Sequence, residues 1–369
     1  MSHAPAGLEI RSWSRRQPLV PSTAVASQHI QSLRGLACLL LVALHVIGGD
    51  ATIGMQLDDD SVYRLFDKLM FHIRMPLFAF LSGYVYAWRP VFPGRATEFT
   101  RRKITRLLVP LIVASTIYFL VTLIVPDGHG RIELASVWRI WLFPYVHFWF
   151  LQAIIAIFAA VVVLEHFGAL ATRTRYGAIL LSAFALNLTA PLDFPTFFSL
   201  SKAAYLSPFF LLGLGANRFR EIFVHPAAIW VCSAACVLTM FLHAAAVLAP
   251  AAHFPQRGTL LGTTISATGA LTLWYWFPQI SSLARLGLYS FTIYLYHPLF
   301  AGPALKALRF LGINSDAILF VCALSAGLLG PAVLELVARR IPVARQLLLG
   351  QRAETKSRAV EPQASSSPP

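Results

Sequence analysis

Two ionisable residues, Arg34 and His45, lie eleven positions apart within an otherwise apolar stretch. At about 100° per residue, eleven steps return a helix to within ~20° of its starting direction, with an axial rise of ~16 Å. Both side chains would therefore share one face. An ionisable group inside a bilayer is costly unless it is paired or hydrated, and imidazole can accept a proton as a general base.

This spacing predicts a polar track from the inner membrane surface into a helix bundle. Arg34 would lie at the inner mouth and His45 beyond the midplane. In the alternative interpretation, Arg34 snorkels as a topology anchor and His45 is a hydrogen-bonded packing histidine. The two residues alone do not separate these interpretations.

A second apolar block begins with His72 and Arg74 close to Pro76, and it continues to Ser82 and Gly83. Proline frees a backbone carbonyl, so the first part predicts a polar outer end, whereas Ser-Gly allows another helix to approach closely. The alternative is a kinked packing helix with an interfacial arginine.

A dense cationic cluster follows at residues 101–106 and includes Arg102, Lys103 and Arg106. Lys103 and Arg106 are one helical turn apart and could bind a phosphate together. Inner loops of membrane proteins are commonly basic, so the charge alone does not specify a ligand.

Further along the chain, His147 precedes Trp149, and Tyr294 precedes a deep histidine, His297, which is followed by proline. Taken singly, each of these histidines could be structural. Three other histidines are interpreted as interfacial and are given no role: His225, His243 and His253.

The composition indicates what kind of protein positions these residues. The 369 residues are 57% hydrophobic and 12% charged, with a net charge of +14 and a mean hydropathy of +0.65. Such values argue against soluble globular folds and a large extramembrane domain. The basic residues occur in short runs between apolar blocks, so they predict topology and not a nucleic-acid surface. The four cysteines have no metal-site spacing.

Apolar blocks of spanning length predict an all-α, polytopic integral membrane protein with about ten transmembrane helices. Most Lys and Arg residues fall in alternate loops, which places both termini in the cytoplasm. A polar tail at 1–29, a transmembrane domain at 30–345 and a disordered tail at 346–369 are expected. The predicted spans are 33–49, 69–88, 107–125, 147–164, 176–191, 203–217, 226–249, 258–280, 286–303 and 316–338.

Five sequence blocks occur in a fixed order along the chain. They are Leu-Arg-Gly-Leu-Ala at 33–37 with His45, Met-Pro-Leu-Phe-x-Phe-Leu-Ser-Gly-Tyr at 75–84, the pair Lys103 and Arg106, Trp-Phe-Leu at 149–151, and Tyr-Ser-x-x-Ile-Tyr-Leu-x-His-Pro at 289–298. Together they resemble the membrane-bound acyltransferase family 3, the O-acyltransferases of bacterial surface and secreted glycans. The resemblance covers roughly residues 28–340. One departure is that many similar members have a histidine directly before Met-Pro, where this chain has Arg74.

The resemblance implies a multi-pass enzyme of the bacterial inner membrane that moves an acetyl group, or a similar acyl group, from cytoplasmic acetyl-CoA to a sugar hydroxyl. The expected catalytic residues are His45, as base or transient acyl carrier, and Arg34. Lys103, Arg106 and Arg102 are expected to hold the donor, and no metal is expected. The residues expected to line the acceptor end are His72, Arg74, Ser82, His147, Trp149, Tyr294 and His297.

The expected partners are a polysaccharide or glycolipid acceptor and the lipid bilayer. Assembly into a homo-oligomer or with polysaccharide-assembly machinery stays open. A hypothesis from another class is a transporter or flippase for a lipid-linked sugar, in which the same buried polar residues would line a translocation path. Transporters commonly have internal pseudo-symmetry, which this sequence does not convincingly show.

Overall fold

The computed structural model describes residues 23–88, 90–91, 96–124, 134–189, 196–249 and 256–351. Within these ranges every regular element is helical and no strand occurs, which confirms the all-α prediction. A π-helical turn, Ile104–Leu108, joins two of the helices. The helices are α1 (Thr23–Ile47), α2 (Val62–Met70), α3 (Arg74–Trp88), α4 (Ala96–Lys103), α5 (Val109–Ile124), α6 (Arg139–Leu142), α7 (Trp149–His166), α8 (Arg173–Thr189), α9 (Leu200–Arg218), α10 (Arg220–Phe223), α11 (Pro226–Leu248), α12 (Leu260–Trp276), α13 (Ser281–Gly287), α14 (Ser290–Tyr296), α15 (Pro298–Phe310), α16 (Asp316–Ala338) and α17 (Pro342–Leu349).

Six helical segments in the described ranges are long and apolar enough to cross a membrane. They are Ser27–Ile47, Thr97–Ile124, Trp149–His166, Phe197–Arg218, Pro226–Leu248 and Asp316–Ala338. Three further predicted spans correspond to shorter helices, namely α3 with 15 residues and α8 and α12 with 17 residues each.

The predicted span at 286–303 is not one continuous helix. This part of the chain forms the end of α13, then α14 and the start of α15. Pro298 occupies the first turn of α15, where its missing N–H is tolerated, and His297, which separates α14 from α15, has φ −53° and ψ −38°. The apolar run therefore supplies short helices that bring polar residues into the bundle.

Helices extend past both predicted tail boundaries. Helix α1 begins at Thr23, inside the segment expected to be a polar tail. At the other end, α17 extends to Leu349, beyond the expected boundary at residue 346. The remaining parts of the predicted tails, 1–22 and 352–369, lie outside the described residues.

Two glycines allow α3 and α9 to cross closely, as the Ser82-Gly83 pair predicted. A Cβ atom on Gly83 would overlap the Phe210 carbonyl, and one on Gly213 would overlap the Phe80 carbonyl. Because these neighbours are backbone atoms, they cannot rotate away. Small residues at such crossings are typical of packed membrane helices.

Gly213→Ala should destabilise this crossing by about 1–3 kcal/mol, the usual cost of overpacking a closely packed interface. Thermal unfolding of the purified protein in detergent would measure the loss. The control is Gly177→Ala in α8, where an added Cβ meets no atom within 4 Å. Equal melting temperatures for the two variants would contradict the assigned crossing.

Candidate active site

Three histidines from distant parts of the chain meet in the bundle. His45 lies near the end of α1, His147 in the turn before α7, and His297 between α14 and α15. The ring centroids are 4.6 Å apart for His45 and His297, 5.1 Å for His147 and His297, and 5.9 Å for His45 and His147. His147 and His297 are buried, and His45 is half-buried. We call these residues the histidine cluster.

Hydrogen bonds to backbone carbonyls determine which nitrogen of each neutral ring carries the proton. His45 donates from Nδ1 to Leu41 O at 2.9 Å, and His297 donates from Nδ1 to Ile293 O at 2.9 Å. His147 donates from Nε2 to Leu295 O at 3.2 Å. Since a carbonyl can only accept, the lone pairs lie on Nε2 of His45 and His297 and on Nδ1 of His147. Each ring thus has one basic nitrogen.

Local backbone features support this placement. Val146 has a φ of +43°, an uncommon conformation for a β-branched residue, and it directly precedes His147. In α14, Thr292 donates to Glu335 of α16 at 2.5 Å, and Glu335 also pairs with Arg339. Helix α14, which ends just before His297, is therefore tied to α16.

The C-terminal end of α1 is held by Arg64. Its Nη1 donates to Gly48 O at 2.6 Å, three residues after His45, and its Nη2 pairs with Asp59 at 2.7 Å. A cation at this end complements the helix dipole. The hydrogen bond from Arg64, aided by the nearby charge of Lys68, lowers the pKa of the Asp59 carboxyl. This loop carboxylate therefore stays ionised and retains its ion pair near neutral pH.

A cavity of ≈ 1080 Å³ extends between the basic cluster and the neighbourhood of the histidines. Arg34, Lys103 and Arg106 line it together with Tyr294, and Phe78 is among its apolar lining residues. The histidines are not themselves lining residues. The connection is Tyr294, whose ring centroid lies 5.8 Å from that of His147.

Tyr294 is fixed by two hydrogen bonds. Its hydroxyl donates to His147 O at 2.6 Å and accepts from Leu151 N at 3.2 Å. Both Tyr294 and Leu151 line the cavity, so the wall of the cavity is hydrogen-bonded directly to the histidine cluster. The His45 ring therefore has protein neighbours, because it packs against two further imidazoles.

The three residues predicted to hold the donor have different surroundings at the basic end of the cavity. Lys103 Nζ lies 3.7 Å from the centroid of the Phe158 ring, a close cation–π contact that orients the ammonium. Arg106 lies on the π-helical turn, a feature frequently found at functional sites. Arg102 also lines the cavity, but it pairs with Glu98 on the exposed face of α4.

The end of α17 contributes to the same cavity, which the sequence did not indicate. Gly350 and Gln351 are lining residues. Gly350 has a φ of +61°, and a Cβ there would lie 2.6 Å from Arg106 O. Tyr296, next to His297, donates from its hydroxyl to Leu348 O at 3.1 Å. The segment expected to begin a disordered tail thus contacts both the basic turn and α14.

Gly350→Ala should displace the backbone of Arg106 and raise the KM for a phosphate-bearing donor several-fold, with a smaller effect on kcat. The matched control is Gly312→Ala, which introduces the same left-handed strain at φ +77° where no atom lies within 4 Å. Steady-state kinetics at varied donor concentration would compare them. Equal KM values would contradict a role for α17 in holding the basic turn.

Two other predicted acceptor residues, Arg74 and Trp149, belong to a separate group, here called the Phe71 cluster. It consists of Asp67, Phe71, Arg74, Trp149 and Arg257. Arg74 is only 2% exposed and pairs with Asp67. The Arg74 guanidinium lies 5.7 Å from the Phe71 ring centroid, and the Arg257 guanidinium lies 4.6 Å from it. Arg257 also lies 5.6 Å from the Trp149 ring centroid.

His72 belongs beside this group. Its ring centroid lies 5.0 Å from that of His243, and its carbonyl accepts a hydrogen bond from Ser266 at 2.7 Å. The interfacial interpretation of His243 is wrong, because its side chain is buried and donates from Nε2 to Lys68 O at 3.0 Å. His225 is exposed at the start of α11, and His253 lies outside the described residues.

Thus the expected acceptor residues separate into three places. His147, Tyr294 and His297 lie with His45, whereas His72, Arg74 and Trp149 lie in or beside the Phe71 cluster. Ser82 lines the cavity, and its hydroxyl donates to Phe78 O at 2.8 Å. In the part of the chain that the structure describes, no set of three or more His, Cys, Asp and Glu residues could hold a metal ion.

Sequence reasoning missed Asp67, Arg257 and the position of His243. The available signal for Asp67 and Arg74 was their spacing of seven residues, two helical turns, but α2 ends at Met70 and the chain turns between them. Arg257 precedes α12, in a segment that contains no recognisable motif. Its position over Phe71 and Trp149 requires a tertiary structure.

A family model described as an acyltransferase domain matches residues 28–336, which is most of the chain and includes both polar clusters. The chain belongs to acyltransferase family 3. Membership in this family indicates acyltransferase activity in a multi-pass membrane protein. No curated protein and no solved structure matches the chain.

Proposed function

We propose that this acyltransferase moves an acetyl or similar acyl group from cytoplasmic acetyl-CoA to a sugar hydroxyl of a polysaccharide or glycolipid. The observation that carries the proposal is the cavity that joins Arg34, Lys103 and Arg106 to Tyr294, beside the histidine cluster. Acyl transfer to a hydroxyl needs a base, and a CoA donor needs a phosphate anchor. The phosphate anchor lies at one end of the cavity, and the histidine cluster lies beside Tyr294 at the other end.

The basic end fits the charged part of the donor. Lys103 and Arg106 supply hydrogen-bond donors and positive charge for the phosphates, and Arg34 adds a third cation on the same lining. The apolar wall then suits the less polar pantetheine arm, which would bring the thioester towards Tyr294. Phe150, Ile154 and Phe158 form part of this wall.

His45 acts as the general base in this proposal. Its Nε2 takes the proton from the sugar hydroxyl while the hydroxyl oxygen attacks the thioester carbonyl. The tetrahedral intermediate then collapses, the carbon–sulfur bond breaks, and the proton passes from His45 to the departing sulfur. The bond of Nδ1 to Leu41 O keeps the ring in the tautomer that this step needs.

The same proposal includes the topology. Ten crossings with both termini inside would place the basic cluster on the cytoplasmic side, where acetyl-CoA is available, and would locate the protein in the bacterial inner membrane. The six long helices and the three shorter apolar ones support this count. The remaining crossing, which corresponds to the predicted span 286–303, would be made by α14 and α15 together, with the break at His297 inside the bundle.

Purified protein in detergent, labelled acetyl-CoA and a panel of bacterial polysaccharides would test the proposal. We expect label to appear on a glycan as an ester that mild alkali removes. The control is Cys322→Ala, which alters an exposed residue outside both polar clusters. Movement of a glycan across proteoliposomes without any acetylated product would contradict the enzyme and favour a transporter.

A further inference from the structure

The Phe71 cluster contains two guanidinium groups but one carboxylate. Arg74 and Arg257 both approach the ring of Phe71, and Asp67 pairs with Arg74. Arg257 makes no hydrogen bond or ion pair with any residue that the structure describes, and its cation–π contacts are with Phe71 and Trp149. One positive charge in the cluster is therefore not balanced by an acid.

This unbalanced charge lies in a partly desolvated environment. Arg74 is 2% exposed, and its Nε has no hydrogen-bond partner among the described residues. Arg257 is half-buried against two aromatic rings. Asp59, an acid of the preceding loop, is already paired with Arg64. Because a buried charge without a counter-charge is costly, an anion bound at Arg257 would stabilise the cluster.

The shape of arginine favours this interpretation. A guanidinium that stacks on aromatic rings still presents its N–H groups at the edge of the plane, where they can bind a carboxylate in a bidentate manner. The site is also linked to the histidine cluster along the chain. Trp149 is two residues after His147, so their Cα atoms lie within ~7 Å of each other.

We propose that the Phe71 cluster is an acceptor subsite for an acidic sugar, with Arg257 binding the carboxylate of a uronic acid residue of the glycan. This proposal rests on the proposed acyltransferase function. A carboxylate held at Arg257 would direct a hydroxyl of the same or the adjoining sugar past Trp149 towards the basic nitrogens of the histidine cluster. Acidic glycans are thus the acceptors and neutral ones are poor substitutes.

Equilibrium binding of a fluorescent tetraglucuronate and of its carboxyl-reduced, neutral counterpart to the full chain in detergent tests this subsite. Because a charge-assisted bidentate pair is replaced by a neutral contact, we expect the wild type to bind the acidic probe at least about tenfold more tightly. Arg257→Gln should reduce that preference to about twofold or less, and Arg257→Lys should keep only part of it. Lys306→Gln, an equal charge change at an exposed position of α15, should retain the full preference.

Acetyl-CoA binding, measured on the same preparations, separates the possible failures. If donor binding persists while the wild type binds both probes equally, the subsite is wrong and the proposed function stands. If no preparation binds donor, the proposed function itself fails. Native mass spectrometry adds a third outcome. An anionic phospholipid retained by the wild type and lost from Arg257→Gln, without any saccharide preference, would assign the site to a lipid phosphate and overturn the acceptor proposal.

Discussion

His45→Ala should lower kcat for acyl transfer by about 10²–10⁴-fold, the usual contribution of a positioned general base. The structural reason is that the imidazole packs between two further histidines, with a lone pair on Nε2. Alanine removes that lone pair. The neighbouring rings are turned by their own hydrogen bonds to Ile293 and Leu295, so neither is expected to replace it.

Initial rates with labelled acetyl-CoA and saturating acceptor would measure this effect, normalised to the amount of protein in the membrane. His166→Ala provides the control, because His166 is an exposed histidine at the end of α7. Its rate should equal that of the wild type. A His45→Ala variant that is present at the normal level and retains the normal rate would refute the assigned base.

The double variant Lys103→Ala/Arg106→Ala should raise the KM for acetyl-CoA by about 10²–10⁴-fold, because hydrogen bonds to charged groups contribute about 1.5–3 kcal/mol each and each 1.4 kcal/mol is tenfold. The KM for the acceptor should change little. Both side chains line the cavity, and Lys103 is oriented by the Phe158 ring. Added salt should weaken donor binding in the wild type more than in the double variant.

Arg101→Ala is the matched control for the donor site. Arg101 belongs to the same cationic run and is exposed, but it does not line the cavity. Its removal should leave the donor KM near the wild-type value. The donor KM of Arg102→Ala should lie between those of Arg101→Ala and the double variant, because Arg102 also pairs with Glu98. A uniform rise in KM for every arginine removed would indicate a diffuse electrostatic effect and contradict a specific anchor.

Helical periodicity predicts only that Arg34 and His45 share one face of α1. Eleven residues return to the same face, and the structure has Arg34 on the cavity lining and His45 in the histidine cluster. The close approach at Gly83 followed from residue size in the same way. Such local inferences depend only on the geometry of one helix or on the size of one residue, so they need no knowledge of the tertiary structure.

The relation between distant segments could not be predicted in this way. His147 and His297 were assigned to an acceptor end, apart from His45, because nothing in their separate segments specifies that the rings meet. The contact depends on the turn at Val146 and on the break at Pro298, which divides an apolar run of spanning length. Hydropathy over a window averages such a break away, so it predicted one continuous span.

Helix α17 is a further element that the sequence pattern did not predict. The segment from residue 350 onward is mostly polar, and polarity favours a tail that begins near residue 346, yet α17 continues to Leu349 and is followed by a left-handed Gly350 against Arg106. The apolar residues Leu347–Leu349 are too few to form a separate signal. Only packing against Arg106 and Tyr296 reveals their role.

A structure determined with the ketone analogue of acetyl-CoA, in which a methylene replaces the thioester sulfur, would test the central claim most directly. We expect the phosphates beside Lys103 and Arg106, the pantetheine arm along the cavity, and the carbonyl carbon beside the histidine cluster. An acceptor oxygen in that complex should lie about 3 Å from His45 Nε2, as a general base requires. An analogue bound with its carbonyl outside this cavity, away from His45, would contradict the account.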